Sequence, residues 1–309
     1  MDIWFGLSRK PDLPQGAAVT IGNFDGVHLG HRHILQRLRQ EADSRGLPAL
    51  AIVFEPQPPE FFAKKAGKTQ PYRLSPLRDK LNLLRATGCL DGVLVLRFNQ
   101  KFADMGAQAF IDHLLRGYLN TRYLLVGDDF RFGAGRAGDF SLLQQQQDMV
   151  TESTPSVMVA NERASSTAVR KALNEGRIDY ATGLLGHPYA LSGHVKHGAK
   201  LGRTLGCPTA NVHLPPLLFP LSGVYVVEVM GSFGKRRGVA SFGLNPTVTD
   251  SRNQKCEVHL FDWHESLYGQ RIQVAFKHKL RDEWKFDSLE ALQHQIHVDM
   301  SQARAWGEA

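Results

Sequence analysis

The stretch Gly22–His31 reads GNFDGVHLGH and follows an apolar run, AVTI, at 18–21. An apolar strand, a glycine-bearing turn and the start of a helix present backbone N–H groups and the positive end of a helix dipole to an anion. His28 and His31 would donate hydrogen bonds to phosphate oxygens, and Gly30 between them would let a nucleotide approach the backbone closely. The stretch therefore predicts an ATP site at this turn.

Two other interpretations of the paired histidines stay open. His28 and His31 could be zinc ligands, although no cysteine or third histidine nearby has suitable spacing except His33, which we expect to point elsewhere. They could also be ordinary polar residues of a loop.

Length and composition describe a globular protein with a small excess of positive charge. A chain of 309 residues forms one large domain or two ordinary ones. Hydrophobic residues make up 42% and charged residues 22%, which is typical of soluble domains with a real core. The net charge of +7 comes from scattered basic residues without a long block, which favours small phosphorylated ligands over nucleic acid.

The cysteines and the apolar runs indicate a cytoplasmic protein. Cys89, Cys207 and Cys256 are odd in number, far apart and not in a C-x-x-C motif, as expected of reduced thiols. The chain begins without the apolar core of a signal peptide, and it has no apolar span of 18 residues. We therefore expect no membrane partner.

The N-terminal half alternates apolar strands with amphipathic helices, which predicts a parallel sheet covered on both faces. Strands are predicted at 18–21, 49–54, 93–97, 123–127 and 157–160. Helices are predicted at 32–45, at 76–87 with Ser75 as its cap, and at 104–118 opened by Asp104. Ligands bind beyond the carboxyl ends of such strands. The histidine turn, FEPQPPE at 54–60 and GDDFRFGAGRAGD at 127–139 should gather there.

Two further segments of this half carry candidate phosphate-binding groups. GAGRAG at 133–138 matches a dinucleotide-binding pattern by letter but does not directly follow its strand, so we interpret it as a mobile loop. The segment 164–176, ASSTAVRKALNEG, reads as a short helix capped by serine or threonine, with Arg170 one turn in. Its hydroxyls and guanidinium could bind outer phosphates of a nucleotide, or the segment is simply a capped helix.

From Tyr189 onward the strands are short and alternating, which predicts a small antiparallel barrel. The predicted strands are 189–196, 223–230, 236–242, 255–262 and 271–279. A last helix should run from Ser288 to Trp306. Asp287 and Glu290 resemble its capping box. Its apolar face would consist of Leu289, Leu292, Ile296 and Ala303.

Motifs of the barrel predict a second phosphate site. GAKLGRT at 198–204 is glycine-rich and basic, although it is not a Walker A loop. Thr209 and Asn211 place two neutral oxygens on one face of an extended segment, which suits Mg²⁺ beside a nucleotide. A proline turn leading into a strand accounts for the same residues without a ligand.

Glu257 is the candidate general base of this second site. Side-chain period two puts Glu257, His259 and Phe261 on one face, which we expect to be the face that lines the barrel.

Together these motifs resemble the bacterial bifunctional riboflavin kinase/FMN adenylyltransferase family, often called FAD synthetase. The resemblance covers nearly the whole chain and rests on eight segments in the family's order: IGNFDGVHLGH, FEPQP, LSPLRDKLNLL, VGDDFRFGAGRAGD, SSTAVRKAL, LGRTLGCPTANV, GVYVVEV and EVHLFD. It implies an α/β chain with a Rossmann-like nucleotidyltransferase domain over 1–185. It also implies a riboflavin kinase-like barrel domain with a terminal helix over 186–309.

The resemblance implies two ATP-dependent steps. In the barrel, riboflavin would attack the γ-phosphate of ATP, with Thr209 and Asn211 as Mg·ATP ligands and Glu257 as base. The kinase phosphate site would add Gly198, Gly202 and Arg203. In the N-terminal domain, FMN would attack the α-phosphate of a second ATP beside His28 and His31. The matching ATP or phosphate residues are Gly22, Asn23, Phe24, Gly30, Ser165, Ser166, Thr167 and Arg170. The flavin and nucleotide loop would contain Asp129, Phe130 and Arg131.

The sequence departs from the family pattern near the kinase site. Cys207 stands where an aromatic residue is usual, and Asn245 and Val248 stand where arginine and phenylalanine are common.

The resemblance implies riboflavin, FMN and ATP as partners. We expect the chain to be a monomer or a weak homo-oligomer.

Two alternatives remain. The barrel could bind flavin without catalysis, or it could bind single-stranded nucleic acid on aromatic platforms. The candidate platform residues Tyr225, Phe242, Phe261 and Trp263 do not obviously share a face with the basic clusters.

Overall fold

The structure is a computed structural model that describes residues 1–159, 161–198, 206–244 and 254–307. Four residues singled out above lie outside the described residues: Gly202, Arg203, Asn245 and Val248. The chain forms two compact units, one of Met1–Pro71 and Lys80–Ala164 and one of Tyr72–Asp79 and Ser165–Ala309.

The first unit is built on a parallel sheet of six strands, which confirms the predicted sheet type. The strands are β1 (Asp2–Phe5), β2 (Ala17–Ile21), β3 (Ala49–Glu55), β4 (Gly92–Arg97), β5 (Thr121–Gly127) and β6 (Val150–Thr154). Their order in the sheet is β1-β4-β3-β2-β5-β6. β2 is buried along its whole length because helices cover both faces of a parallel sheet.

The helices of the N-terminal half alternate with these strands along the chain. They are α1 (Leu29–Arg45), α2 (Pro58–Lys65), α3 (Leu77–Ala86), α4 (Gln100–Ala103), α5 (Ala107–Ala109), which continues as a π-helix (Phe110–Tyr118), and α6 (Phe140–Gln144). α1 ends as predicted at Gly46, whose φ of 64° gives the left-handed cap that glycine adopts without strain.

The prediction of this sheet was wrong at its edges. Of the predicted strand 157–160, Met158–Val159 (β7) does not join it but pairs antiparallel with Glu162–Arg163 (β8) in a separate ribbon, and residue 160 lies outside the described residues. The prediction also omitted β1 and β6. β6 reads VTEST and is mostly half-exposed, so it lacks the apolar run that identifies a buried central strand.

Asp104 does not open a helix, contrary to the prediction. It is the C-terminal cap of α4, whose N-terminus is capped by the side chain of Asn99. The next helix begins at Ala107, because Gly106 adopts an extended backbone and separates the two helices.

The second unit contains two helices, a closed antiparallel barrel and a terminal helix. The helices are α7 (Ser166–Asn174), α8 (Ile178–Leu185) and α9 (Leu289–Ala305). The strands are β9 (Ala190–Lys196), β10 (Ala210–His213), β11 (Gly223–Gly231), β12 (Gly234–Leu244), β13 (Gln254–Leu260) and β14 (Arg271–Arg281). They close in the order β10-β13-β12-β11-β14-β9. Tyr225, Phe242 and Phe276 are fully buried, and Phe276 contacts each of the other two rings, so side chains fill this small barrel.

The terminal helix begins where predicted, but with a different cap. The hydroxyl of Ser288 accepts the backbone N–H of Ala291 at 3.1 Å, so Ser288 rather than Asp287 is the N-cap. Leu289 is 53% exposed and does not belong to the buried face. Ala303 does, in contact with an apolar cluster on the barrel's outer surface.

A buried ion pair joins α9 to the barrel. Arg281 of β14 donates to the Asp299 carboxylate through Nε at 2.9 Å and Nη2 at 2.8 Å, and Gln295 adds a third hydrogen bond. The two side chains are only 11% and 6% exposed. Removing one partner of such a pair leaves an uncompensated buried charge.

We therefore expect Asp299→Ala to lower the free energy of unfolding by about 3 to 5 kcal/mol. Urea denaturation followed by circular dichroism would measure it. Asp43→Ala is the matched control, because Asp43 of α1 pairs with Arg39 while its side chain is 67% exposed, and it should cost less than about 1 kcal/mol. Equal losses in the two variants would contradict the assignment.

All three cysteines are free and buried. Within the described residues, no helix has the length and apolar character needed to cross a membrane.

Candidate active sites

The histidine turn follows the strand at which the order of the sheet reverses. β2 pairs with β3 on one side and with β5 on the other. The chain proceeds from β2 towards β3 and β4 and returns later to β5, so the end of β2 lies at a topological switch point. Open parallel sheets bind ligands in the crevice at such a point.

The backbone of this turn is held in an uncommon conformation. Phe24 and Val27 have positive φ values of 46° and 43°, which cost energy for residues with a side chain. Both side chains are at most 1% exposed, so the core holds them in place. A Cβ on Gly22 would lie 3.1 Å from the Phe24 ring. Phe24 can therefore contribute to a ligand site through its backbone, while its ring belongs to the core.

His28 is the N-cap of α1. Its Nδ1 accepts the backbone N–H of His31 at 3.4 Å, and the two imidazoles stack with centroids 3.7 Å apart. Because Nδ1 is the acceptor, a neutral His28 carries its proton on Nε2. The helix therefore begins at Leu29, three residues before the predicted start. The prediction missed this start because histidine is not among the usual capping residues.

Gly30 is closely packed within the first unit. A Cβ there would lie 3.0 Å from the carbonyl oxygen of Ala164 and 3.1 Å from the His28 ring. The absence of a side chain thus lets the His28 imidazole lie against the first turn of α1. This role is additional to the predicted close approach of a nucleotide.

An aromatic cleft lies at the carboxyl edge of the sheet. It has a volume of about 660 Å³ and is lined by Ile21 at the end of β2, Phe54 at the end of β3, and residues 130–136 after β5. Of the three segments predicted to meet at this edge, 54–60 and 127–139 do so, and Ile21, which precedes the histidine turn, lies beside them. Phe130 and Phe132 stack with an interplanar angle of 15°. Flat walls of this kind suit a planar ring system.

Several residues of this cleft were missed by sequence reasoning. Phe62, Phe98 and Phe102 line it, but in the sequence they are indistinguishable from core residues. Of the predicted loop residues, Phe130 and Arg131 line the cleft, whereas Asp129 forms an ion pair with Arg163 at 3.0 Å.

The second predicted phosphate-binding segment belongs to the other unit. Ser165 caps α7, since its hydroxyl oxygen accepts the backbone N–H of Ala168 at 3.1 Å. The hydroxyl proton remains available for donation. Ser166 and Thr167 open the helix, and Arg170 follows one turn later. The predicted cap is confirmed, and the phosphate role stays a prediction.

Asn211 and Glu257 lie side by side on the outer surface of the barrel. They face each other in the β10–β13 pair, and Ser241 of β12 faces Glu257 from the other side. The neighbours of Glu257 along β13, Cys256 and Val258, are 2% and 1% exposed and fill the interior. The prediction that Glu257 lines the barrel was therefore wrong, because apolar side chains occupy the inside of a barrel this small.

The predicted sharing of a face by Glu257, His259 and Phe261 agrees with the structure. The rings of His259 and Phe261 have centroids 5.9 Å apart. Phe261 contacts the apolar cluster on the barrel's outer surface that includes Ala303 of α9.

Three clefts of the second unit meet at Thr209, Asn211 and Glu257. The first, of about 410 Å³, is lined by Thr209 and by the aromatic residues Trp263 and Tyr268. The second, of about 220 Å³, has Thr209 and Glu257 on one side and residues of α9 on the other. The third, of about 560 Å³, is lined by Gly198, Asn211 and Glu257. The predicted catalytic residues thus stand where a transferred group could pass between neighbouring clefts.

Gly198 makes room for the Asn211 side chain. A Cβ on Gly198 would lie 2.3 to 2.6 Å from the atoms of the Asn211 carboxamide. The carboxamide therefore rests directly on the backbone of residue 198, which sets the position of its oxygen.

Cys207 lines the second cleft as an unreactive thiol. Burial, with the nearby Asp299 carboxylate, raises the pKa of the Cys207 thiol to about 11. The thiol therefore stays protonated at neutral pH, and the thiolate that would be the nucleophile is scarce.

Three of the four candidate aromatic side chains are too deeply buried to stack on a nucleic-acid base. Tyr225 and Phe242 are fully buried and Phe261 is 5% exposed. Bases stack on exposed rings, so these residues cannot serve that purpose.

Among the described residues, no group of three His, Cys, Asp or Glu side chains could hold a metal ion.

Comparisons with known proteins identify related chains over the full length. Residues 10–168 match the FAD synthetase family and residues 185–307 match the riboflavin kinase family. The chain is 49% identical over 304 residues to the bifunctional riboflavin kinase/FMN adenylyltransferase of Escherichia coli, covering 97% of this chain and 96% of that one. It is 43% identical over 310 residues to the protein of that name from Haemophilus influenzae, covering 99% of each.

A solved structure is also similar over the full length. The crystal structure of a protein described as a macrolide-efflux protein from Streptococcus pneumoniae has a TM-score of 0.83 and 28% identity, covering 99% of this chain and 100% of that one.

Proposed function

This chain belongs to the bifunctional riboflavin kinase/FMN adenylyltransferase family, and we propose that it performs both reactions. ATP would phosphorylate riboflavin to FMN in the barrel. A second ATP would then adenylylate FMN to FAD, with release of pyrophosphate, in the N-terminal domain. The observation that carries the proposal is the Asn211–Glu257 pair, which lines the third cleft, while Glu257 also lines the second. We place the domain boundary at 185/186, which lies close to the start of the riboflavin kinase match.

In the kinase step, Glu257 would act as general base. Its carboxylate would take the proton of the riboflavin 5′-hydroxyl as that oxygen attacks the γ-phosphorus of ATP. Thr209 and Asn211 supply a hydroxyl and an amide oxygen, the donor type that Mg²⁺ prefers, so they fit as its protein ligands. A bound Mg²⁺ would neutralise charge on the phosphates.

In the adenylyltransferase step, the first unit would act by positioning and by neutralising charge. The Nε2–H of His28, the His31 imidazole and the N-terminal N–H groups of α1 would donate to the phosphates of ATP. The FMN phosphate would attack the α-phosphorus directly, so no protein nucleophile is needed. The aromatic cleft beside Phe54 and Phe130 is the place we assign to the isoalloxazine ring.

The direct test is a product assay. Purified protein with riboflavin, ATP and Mg²⁺ should form FMN and then FAD, resolved by chromatography. Chelation of Mg²⁺ should stop both, and its return should restore them. Absence of both products across a range of pH and salt would overturn the proposal. A cytoplasmic location and a monomeric or weakly associated state stay predictions.

Gly198→Ala should lower the rate of riboflavin phosphorylation by about tenfold to a hundredfold, because displacement of a ligand group by about 1 Å is costly. The melting temperature should change little, since only the end of the Asn211 side chain must move. Gly183→Ala on α8 is the control, because a Cβ there has no atom within 4 Å. An unchanged kinase rate in Gly198→Ala would show that Asn211 is not held by this contact.

A further inference from the structure

Two histidines face each other on the outer surface of the barrel. His194 of β9 and His213 of β10 are directly opposed partners in the β9–β10 pair. Val195 and Val212, the next opposed pair, are 2% and 4% exposed and fill the interior. Because successive side chains of a strand alternate between its faces, both histidines point outward, and both are exposed. The two imidazoles therefore stand side by side at the surface.

The separation of the two histidines suits a shared metal ion. Directly opposed residues of an antiparallel pair have Cβ atoms about 4.5 to 5.5 Å apart. From there, two imidazole nitrogens can both come within about 2.1 Å of one cation, the length of a zinc–nitrogen bond. Strand register thus brings both ligands together in the folded chain, and neither strand supplies them alone.

The hydrogen bonding of His194 leaves one ring nitrogen ready to coordinate. Its Nδ1 lies 3.4 Å from the carbonyl oxygen of Gly269. A carbonyl oxygen only accepts, so Nδ1 carries the proton and the lone pair of the neutral ring lies on Nε2. Histidines that bind metals are typically held in this way, with the second ring nitrogen donating to a carbonyl or a carboxylate.

We propose that His194 and His213 form a binding site for one transition-metal ion such as Zn²⁺, Ni²⁺ or Cu²⁺. Imidazole nitrogen suits these cations, whereas Mg²⁺ prefers oxygen ligands. A structural zinc site has four protein ligands, and in the described parts of the chain no third His, Cys, Asp or Glu side chain completes a set with this pair. Water therefore fills the other positions, and the ion is exchangeable. The site requires neither of the reactions proposed above.

Neighbouring charges oppose a cation at this place, so coordination and not attraction must hold it. Arg271 of β14 faces His194 from the other side, and Lys196 follows two residues later on β9, where it faces Asn211. A site held by carboxylates would lose affinity when salt screens the attraction. Here salt screens a repulsion, so the affinity for the metal should be unchanged or higher at high salt.

The test is calorimetric titration of the full chain, without a histidine tag, with Ni²⁺. His194→Gln and His213→Gln should each weaken the tightest binding by more than about tenfold, because loss of even an outer partner of a metal ligand costs about that much. Bound Ni²⁺ should raise the melting temperature of the unaltered chain but not of the double variant. Without metal, all these chains should melt alike, since both side chains are exposed.

Cu²⁺ gives an independent measurement of the ligands. The electron paramagnetic resonance spectrum should show coupling to two imidazole nitrogens in the unaltered chain and to one in each single variant. Cu²⁺ should bind more tightly than Ni²⁺ or Zn²⁺. A large excess of Mg²⁺ should displace none of them, because it prefers oxygen.

The matched control is His113→Gln. His113 is an exposed histidine of the π-helix in the first unit, so its loss should leave the affinity for Ni²⁺ unchanged. Lys196→Gln should strengthen Ni²⁺ binding by about twofold to fivefold, the size of an exposed charge interaction. Equal affinity for Ni²⁺ in the unaltered chain and the double histidine variant, or a Cu²⁺ spectrum that the variants do not change, would overturn the proposal.

Discussion

Glu257→Gln should lower the rate of FMN formation from riboflavin by about two to four orders of magnitude, the usual contribution of a general base. The amide is nearly isosteric with the carboxylate but cannot take the proton of the attacking hydroxyl. FAD formation from supplied FMN should persist, because Glu257 belongs to the barrel unit. Chromatographic rates with each substrate, measured on one preparation, would give both numbers.

The control for this variant is Glu228→Gln. Glu228 is another partly exposed barrel glutamate, on β11, and it forms an ion pair with Lys235. Loss of the Glu228 charge should leave the kinase and adenylyltransferase activities near those of the unaltered chain. If Glu257→Gln retained full kinase activity, the barrel would be a flavin-binding module or use another base. If both activities vanished together in a folded protein, the two-site picture would be wrong.

His31→Ala should reduce adenylylation of FMN by about two to three orders of magnitude, as expected when a donor that stabilises charge on the phosphates is removed. Phosphorylation of riboflavin should be unaffected. His31 is a better target than His28, because truncating His28 would also remove the N-cap of α1 and cost about 1 kcal/mol of stability.

His33→Ala provides the comparison on the same helix. His33 lies two residues further along α1 and is exposed, so its truncation should change neither reaction. A normal adenylylation rate in His31→Ala would make this imidazole a packing partner of His28 and nothing more. Measurement of KM and kcat for ATP separates loss of binding from loss of transition-state stabilisation.

Prediction from sequence was most successful where strands are buried on both faces. β2, β3, β4 and β5 were identified because short apolar runs between helical patterns are typical of the central strands of a parallel sheet. It was less successful where a strand depends on its partner. β6 is polar and β10 has only four residues, so each becomes a strand through pairing with a neighbour rather than through its own composition.

In the candidate sites too, features set by local pattern were predicted and features set by contacts between distant segments were not. The histidine turn and the Thr209, Asn211 and Glu257 set were predicted from local pattern, since a strand–turn–helix junction and period two can be read along the chain. The aromatic cleft was not found, because a phenylalanine that lines a cleft and one that fills a core look alike in sequence. The capping role of His28, whose ring also stacks on His31, was not found either, because histidine is not among the usual capping residues.

The sequence by itself determined which residues share a strand face or a helix turn, because those relations depend only on the repeat of the backbone. It thereby indicated a parallel sheet and a barrel, and it predicted two sets of candidate phosphate-binding residues. The tertiary structure alone decided that Glu257 points outward, that Asn211 rests on Gly198, and that Lys196 faces Asn211. The reason is that barrel closure, strand register and side-chain volume act between segments far apart in the chain, and no local pattern contains them.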